Sequence, residues 1–130
     1  MKLLLDTHIW LWWQMSPERI HPEATRTIAD SGHTVYLSTV SSWEMAIKIA
    51  VGKLQLPKPL GEMLPECLLA DDMRTLALQH HHCFELQNLP MHHRDPFDRM
   101  LVAQARLEGM SIVTADAMLQ RYEVELVMVG

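Results

Sequence analysis

Short apolar runs alternate along the chain with segments of helical periodicity. Five segments have the apolar, β-branched composition of strands: residues 2–5, 34–38, 73–78, 110–114 and 125–129. Between them lie segments with helical spacing or helix-start signals: residues 7–14, 16–30, 40–51, 60–70, 79–88, 96–108 and 117–122. This alternation predicts an α/β fold with a parallel sheet and right-handed crossovers. No repeat or linker interrupts it, so we expect one domain over residues 1–130.

The first candidate functional residue lies at the end of the first predicted strand. Leu3-Leu4-Leu5 is apolar without alternation, which predicts a strand buried on both faces. The run stops at Asp6, so this carboxylate should lie at the C-terminal end of the strand. Ligands of open α/β sheets bind at that edge.

Three further acids fall at matching places. Glu44 lies in the first turns of the helix after the second strand, Asp98 in the first turn of the helix before the fourth strand, and Asp116 just past that strand. If the first and fourth strands are neighbours, these carboxylates and Asp6 converge, repel one another and raise one another's pKa. Mg²⁺ or Mn²⁺ would remove the conflict, because these cations take oxygen ligands and bridge carboxylates to phosphate. The pattern predicts metal-assisted phosphoryl chemistry.

Each acid also has a purely structural interpretation. Asp6 could cap the first helix, and Asp116 the short last one. Ser41-x-x-Glu44 fits a capping box, and Asp98 could simply favour a helix dipole.

The spacing of tryptophans and other apolar residues predicts which faces of the first helix and of the helix over 40–51 are buried. Helical spacing of Trp43, Ala46, Ile47 and Ala50 predicts that they form the buried face of the helix over 40–51. In the first helix, Trp10 and Trp13 share a face and Trp12 points away. Two of these three indoles can be core residues, and an exposed one would serve a protein partner.

Composition narrows the class of protein. Of the 130 residues, 48% are apolar, which argues against disorder, and the net charge of −5 argues against a generally basic nucleic-acid binder. We expect no membrane span, because no apolar stretch is long enough to cross a bilayer. We also expect no signal peptide, because Met1-Lys2 leads straight into the first strand. Cys67 and Cys83 lie far apart, as expected of a reduced, cytoplasmic protein.

Five blocks resemble the signature blocks of PIN-domain proteins, and in particular the VapC-type toxins of bacterial toxin–antitoxin pairs. They are Leu4-Leu5-Asp6-Thr7-His8, residues 42–48, Gly52-Lys53-Leu54, residues 92–101 and Val113-Thr114-Ala115-Asp116. The resemblance implies a PIN-like α/β/α sandwich with a central five-stranded parallel sheet. It implies an Mg²⁺- or Mn²⁺-dependent endoribonuclease that cleaves RNA with a metal-activated water and leaves 5′-phosphate and 3′-hydroxyl ends. The catalytic, metal-binding acids would be Asp6, Glu44, Asp98 and Asp116.

The resemblance also implies partners: an RNA substrate, a cognate small antitoxin, and a second copy in a homodimer or a heteromeric toxin–antitoxin complex. Lys48, Lys53, Arg94 and Arg99 are candidates for contacts to the RNA backbone, which position nucleic acid without reading its sequence. Lys48 has an alternative role as the i,i+4 ion-pair partner of Glu44. The hydroxyls of Thr7 and Thr114 could orient water at a metal or cap strand ends.

Other functions remain open at this point. The chain could be a PIN-fold module without turnover that binds RNA or protein. A phosphatase or receiver domain of another α/β family is disfavoured, because Asp6 has no second acid two residues on. His80-His81-His82 and His92-His93 lack the spacing of a tetrahedral zinc site, so solvated histidines are expected, with His92 or His93 near RNA.

Overall fold

The computed structural model describes residues 1–129 and contains one parallel sheet. Its strands are β1 Lys2–Leu5, β2 Thr34–Ser38, β3 Arg74–Leu76, β4 Ser111–Thr114 and β5 Leu126–Met128. They are arranged in the order β3-β2-β1-β4-β5, and every neighbouring pair is parallel. The predicted five-stranded parallel sheet is confirmed. Strand addition reverses direction between β1 and β4, so their C-terminal ends form the crevice in which such sheets bind ligands.

Six α-helices connect the strands: α1 Thr7–Met15, α2 Pro22–Ala29, α3 Thr39–Ala50, α4 Leu60–Ala70, α5 His80–Leu86 and α6 Pro96–Glu108. Short 3-10 helices cover Pro17–Arg19 and Ala117–Arg121. Within residues 1–129, no helix combines the length and apolar character needed to cross a membrane.

The helices cover both faces of the sheet. Leu3 and Leu5 face one apolar cluster, to which α1 contributes the fully buried Trp10. Leu4 faces the opposite cluster, to which α6 contributes Leu101. Because successive side chains of a strand point to opposite faces, the apolar run of β1 supplies both cores. The result is the predicted α/β/α sandwich.

The single helix predicted over residues 16–30 is wrong, because the chain is interrupted at His21-Pro22. Pro22 has no backbone N–H and disfavours helical geometry at the preceding residue. A 3-10 turn therefore ends at Arg19, and α2 begins at Pro22. The Nδ1 atom of His21 caps the new helix by accepting from the N–H of Glu23 at 3.2 Å.

The buried face predicted for α3 is also wrong. The buried residues are Val40, Ser41, Glu44 and Met45. The expected core residues lie outside, with Trp43 57% and Ile47 40% exposed, and Ala46 and Ala50 exposed as well. The helix turns two polar residues inward, toward the end of β1, and leaves its apolar stripe at the surface.

The first helix leaves little tryptophan surface. Trp10 is fully buried, while Trp12 and Trp13 are half-buried and pack against the same core. The Arg19 guanidinium lies 4.4 Å from the centre of the Trp12 ring. The surplus apolar surface expected around these three residues is therefore found at Trp43 instead.

Helix α6 begins and ends as its sequence predicts. Asp95 is the N-cap, and its Oδ1 accepts from the N–H groups of Phe97 at 2.8 Å and Asp98 at 3.3 Å. Pro96 occupies the first helical position, and Gly109 ends the helix with a φ of 65°. These caps fix Asp98 in the first turn.

Candidate active site

Asp6 lies directly after β1 and keeps the sheet pairing, since its N–H donates to Val113 O at 2.9 Å. Its Oδ2 accepts from the Thr114 hydroxyl at 2.8 Å, and its buried Oδ1 has no partner among the described residues. The side chain does not cap α1, so the structural interpretation fails here. Burial raises the pKa of Asp6, as does the charge of Glu44, against the opposing effects of the Thr114 hydrogen bond and His8.

Glu44 reaches the same region from α3 and is 1% exposed. Its Oε2 accepts from Lys48 Nζ at 2.6 Å, and its buried Oε1 has no partner within residues 1–129. The capping-box interpretation is wrong, because Ser38 caps α3 by accepting from Val40 N–H. Ser41 instead accepts from the Thr7 hydroxyl at 2.8 Å, which joins α1 to α3.

Asp98 is the acid most surrounded by the others. Burial raises its pKa to about 8, and the charges of Asp6, Asp95, Glu44 and Asp116 contribute in the same direction. Because four carboxylates act on this one, the structure brings all the acids predicted from the sequence to one place. Asp98 favours its neutral form unless a cation offsets its neighbours.

Asp116 caps the last 3-10 helix with one carboxylate oxygen and contacts the acidic cluster through the other. Its Oδ1 accepts from Met118 N–H at 2.9 Å, so the predicted N-cap exists. Its Oδ2 lies 2.8 Å from His93 Nε2, and the same nitrogen lies 3.2 Å from Asp98 Oδ2. His93 is thus a site residue that sequence reasoning assigned only to the neighbourhood of RNA. The contact joins residues 23 positions apart, which no local spacing indicates.

A cleft of about 260 Å³ opens at this edge of the sheet. It is lined by Asp6, His8, Trp12, Asp98, Ala115 and Asp116. Glu44 does not line it and stays buried. The Thr114 hydroxyl lies behind the cleft, where it donates to Asp6 and accepts from Asp116 N–H at 3.0 Å. Of the two roles that the sequence left open for Thr114, its hydroxyl therefore performs the capping of the strand end, and it also fixes the Asp6 carboxylate.

The donor set fits a hard divalent cation. All four acids offer carboxylate oxygens, the ligand type that Mg²⁺ and Mn²⁺ prefer. Leaving a buried carboxylate oxygen without a partner is unfavourable, yet both Asp6 and Glu44 have one. Burial and the neighbouring carboxylates raise the pKa values of Asp6 and Asp98, and a bound cation would lower them again.

The basic residues predicted to contact RNA have different environments. Lys48 pairs with Glu44, and although burial opposes it, that hydrogen bond and charge raise the pKa of Lys48. Arg99 donates to Leu89 O at 3.2 Å and so holds the segment before α6. Lys53 and Arg94 are exposed.

A second cluster has some of the geometry of a metal site. His81 Nε2 and His82 Nε2 each lie 3.7 Å from Glu108 Oε2. However, His82 Nδ1 accepts from Gln79 N–H at 3.0 Å, so the ring proton resides on Nε2 and blocks that nitrogen as a ligand. Burial and the neighbouring His81 lower the pKa of His82, which keeps the ring neutral.

The chain is similar in sequence or in structure to several known proteins. Ribonuclease VapC22 of Mycobacterium tuberculosis (strain ATCC 25618 / H37Rv) is 28% identical over 121 residues, which cover 92% of this chain and 91% of the relative. The crystal structure of VapBC2 from Rickettsia felis bound to a DNA fragment from their promoter matches with a TM-score of 0.76 and 15% identity, covering 100% of both chains. DNA-bound VapBC from Salmonella typhimurium matches with a TM-score of 0.67 and 16% identity, covering 98% of each chain.

These structural likenesses establish the fold, and a sequence model of the family extends the match to nearly the whole chain. The PIN domain model matches residues 3–125, a range that contains every acid of the cluster. This match removes the phosphatase and receiver alternatives. The chain belongs to the PIN-domain family.

Proposed function

We propose that this PIN-domain protein is a metal-dependent endoribonuclease that acts as the toxin of a VapC-type toxin–antitoxin pair. One observation carries the proposal. Four carboxylates from separate parts of the chain meet at the switch point of the sheet, and two of them hold a buried oxygen without a partner among the described residues. If these acids were purely structural, we would expect Lys or Arg side chains of the protein to pair with those two oxygens.

Asp6, Glu44, Asp98 and Asp116 would hold Mg²⁺ or Mn²⁺. When bound, the cation activates water for attack on phosphorus and stabilises the charge that develops on the phosphate. The side chains supply position: the Thr114 hydroxyl fixes Asp6, and Lys48 fixes one oxygen of Glu44. The cleft is open, and the exposed Lys53 and Arg94 would offer positive charge to a phosphodiester backbone that binds there.

The relatives support the choice of substrate and partner. One is named a ribonuclease, and the structural neighbours are VapBC toxin–antitoxin complexes. We therefore propose an RNA substrate, a cognate antitoxin, a homodimer or toxin–antitoxin heteromer, and action in the cytoplasm. The apolar stripe of α3 around Trp43 offers surface for such a partner.

The test is cleavage of structured RNAs by the purified protein, with Mn²⁺ or Mg²⁺ and with chelator. We expect cleavage only with metal, and none from Asp6→Asn, which keeps the side-chain size and removes the charge. Glu62→Gln, an exposed acid on α4, is the matched control and should cleave normally. RNA binding without cleavage under every condition would instead identify a binding module and contradict the proposal.

A further inference from the structure

We propose that His93 is a positioning residue that holds Asp98 and Asp116 in the arrangement a cation requires. This inference rests on the proposed function, because it concerns the same site. His93 Nε2 lies 2.8 Å from Asp116 Oδ2 and 3.2 Å from Asp98 Oδ2. The ring therefore bridges a carboxylate at the start of α6 and a carboxylate beyond β4.

The hydrogen bonds of the ring determine its tautomer. His93 Nδ1 accepts from the backbone N–H of Asp95 at 3.0 Å, so this nitrogen carries no proton. The proton of the neutral ring then resides on Nε2, which donates to Asp116 and faces Asp98. His93 is consequently a donor to the carboxylates and not itself a metal ligand, although the three groups lie close enough to suggest one.

The backbone of His93 is fixed separately from its ring. Its N–H donates to the Tyr122 hydroxyl at 2.9 Å, and Tyr122 is 5% exposed. The neighbouring His92 ring packs edge-on against the Tyr122 ring at 5.2 Å. Contacts at both ends of His93 thus hold the donor in place before a cation arrives, as a preorganised site needs.

Asp116 depends most on this contact. Met118 N–H fixes its Oδ1 and His93 fixes its Oδ2, so the carboxylate cannot rotate, while each oxygen keeps a lone pair for a cation. Asp6 and Glu44 have their own partners, Thr114 and Lys48, and form no hydrogen bond or ion pair with His93 within residues 1–129. Removing the ring should therefore weaken the Asp98–Asp116 half of the site and spare the other half.

The experiment measures Mn²⁺ affinity by titration calorimetry, separately from RNA cleavage. His93→Ala should lower Mn²⁺ affinity by about 10- to 100-fold, the usual effect of losing such a supporting residue. His93→Gln should restore much of it, because its amide N–H can donate to the same carboxylates. His80→Ala, which removes an exposed imidazole on α5 that contacts no carboxylate, is the control and should bind Mn²⁺ as the wild type does.

A double-mutant cycle tests whether His93 affects Mn²⁺ binding through Asp116. If His93 acts through Asp116, adding His93→Ala to Asp116→Asn should lower Mn²⁺ affinity much less than it does in the wild type. In cleavage assays, His93→Ala should raise the Mn²⁺ concentration for half-maximal rate more than it lowers the rate at saturating metal.

The possible results distinguish a failure of the His93 role from a failure of the proposed ribonuclease function. Wild-type protein that binds Mn²⁺ and cleaves RNA, with His93→Ala matching its Mn²⁺ affinity, would overturn the role of His93 alone. Wild-type protein that neither binds Mn²⁺ nor cleaves RNA would overturn the proposed function and this role with it. If His93→Ala does not fold, His93→Leu decides, because leucine fills part of the same space and cannot donate to the carboxylates: Mn²⁺ affinity equal to the wild type rejects the role.

Discussion

Asp95 and Asp98 lie three residues apart at one helix start and perform different tasks. Asp95 caps α6, so Asp95→Ala should cost about 1 kcal/mol of unfolding free energy and still cleave RNA, since the Asp95 backbone N–H that fixes His93 remains. Asp98→Asn should keep or raise the stability of the metal-free protein and abolish cleavage. Urea unfolding and RNA cleavage measure the two effects. If Asp95→Ala abolished cleavage and Asp98→Asn only lowered stability, the site would have been assigned to the wrong acid of this helix start.

The pKa of Asp98 makes a prediction about stability and pH. Its folded value of about 8 exceeds its ordinary value of 3.8, so between these values the folded state binds more protons than the unfolded state. The free energy of unfolding contributed by this group must therefore fall as pH rises through that window.

Urea unfolding of metal-free wild type and Asp98→Asn, across this pH range, measures the contribution. The stability advantage of Asp98→Asn should grow as pH rises, and added Mn²⁺ should reduce it by stabilising the wild type. An advantage independent of pH would mean that Asp98 is ionised in the folded protein throughout.

At the residue scale, the sequence predicted the acids but not all of their neighbours. Asp6, Glu44, Asp98 and Asp116 could be found because strand ends and helix starts are local signals. His93 could not be assigned its role, because its contact with Asp116 depends on how the segment before α6 packs on the turn after β4. The competing structural interpretation holds for Asp116 and fails for Asp6 and Glu44.

At the scale of elements, two glycines give a matched pair of predictions. Gly109 ends α6 with a φ of 65°, a conformation that strains any residue with a Cβ, whereas Gly61 lies in α4 with open space where a Cβ would be. Gly109→Ala should lower the unfolding free energy by about 1 kcal/mol, and Gly61→Ala should raise it by up to about 1 kcal/mol. Thermal unfolding of both variants is the measurement. A stabilising Gly109→Ala would contradict the described end of α6.

Sequence periodicity located the elements better than it oriented them. The strands and most helices fall close to their predicted positions, because apolar runs and capping residues act locally. The break at His21-Pro22 was missed because helix-start signals and helical spacing over residues 16–30 suggested one continuous helix. The face of α3 was reversed because periodicity shows which side is apolar, while burial of Ser41 and Glu44 at the site decides which side faces inward.

At the scale of the whole molecule, the exposed stripe of α3 predicts an interface. Under the proposed function, co-expression with the cognate antitoxin should give a stable, inactive complex. Trp43→Ala should weaken that complex by about 2 kcal/mol or more, because buried tryptophans dominate interface energies. Leu69→Ala is the control, since Leu69 is 85% exposed on a different helix, α4. Equal affinities for both variants, measured by calorimetry, would place the interface elsewhere.

The chemistry of the cleaved ends tests the central claim most directly. Attack by water leaves the RNA 2′-hydroxyl out of the reaction, so no 2′,3′-cyclic phosphate should form, and the resemblance to VapC-type toxins implies 5′-phosphate and 3′-hydroxyl ends. Mass spectrometry of the RNA fragments from wild type and Asp6→Asn, with Mn²⁺ and with chelator, would identify those ends. The account predicts these ends from the wild type with Mn²⁺ only. Fragments with 2′,3′-cyclic phosphate ends, formed equally with chelator or by Asp6→Asn, would contradict it.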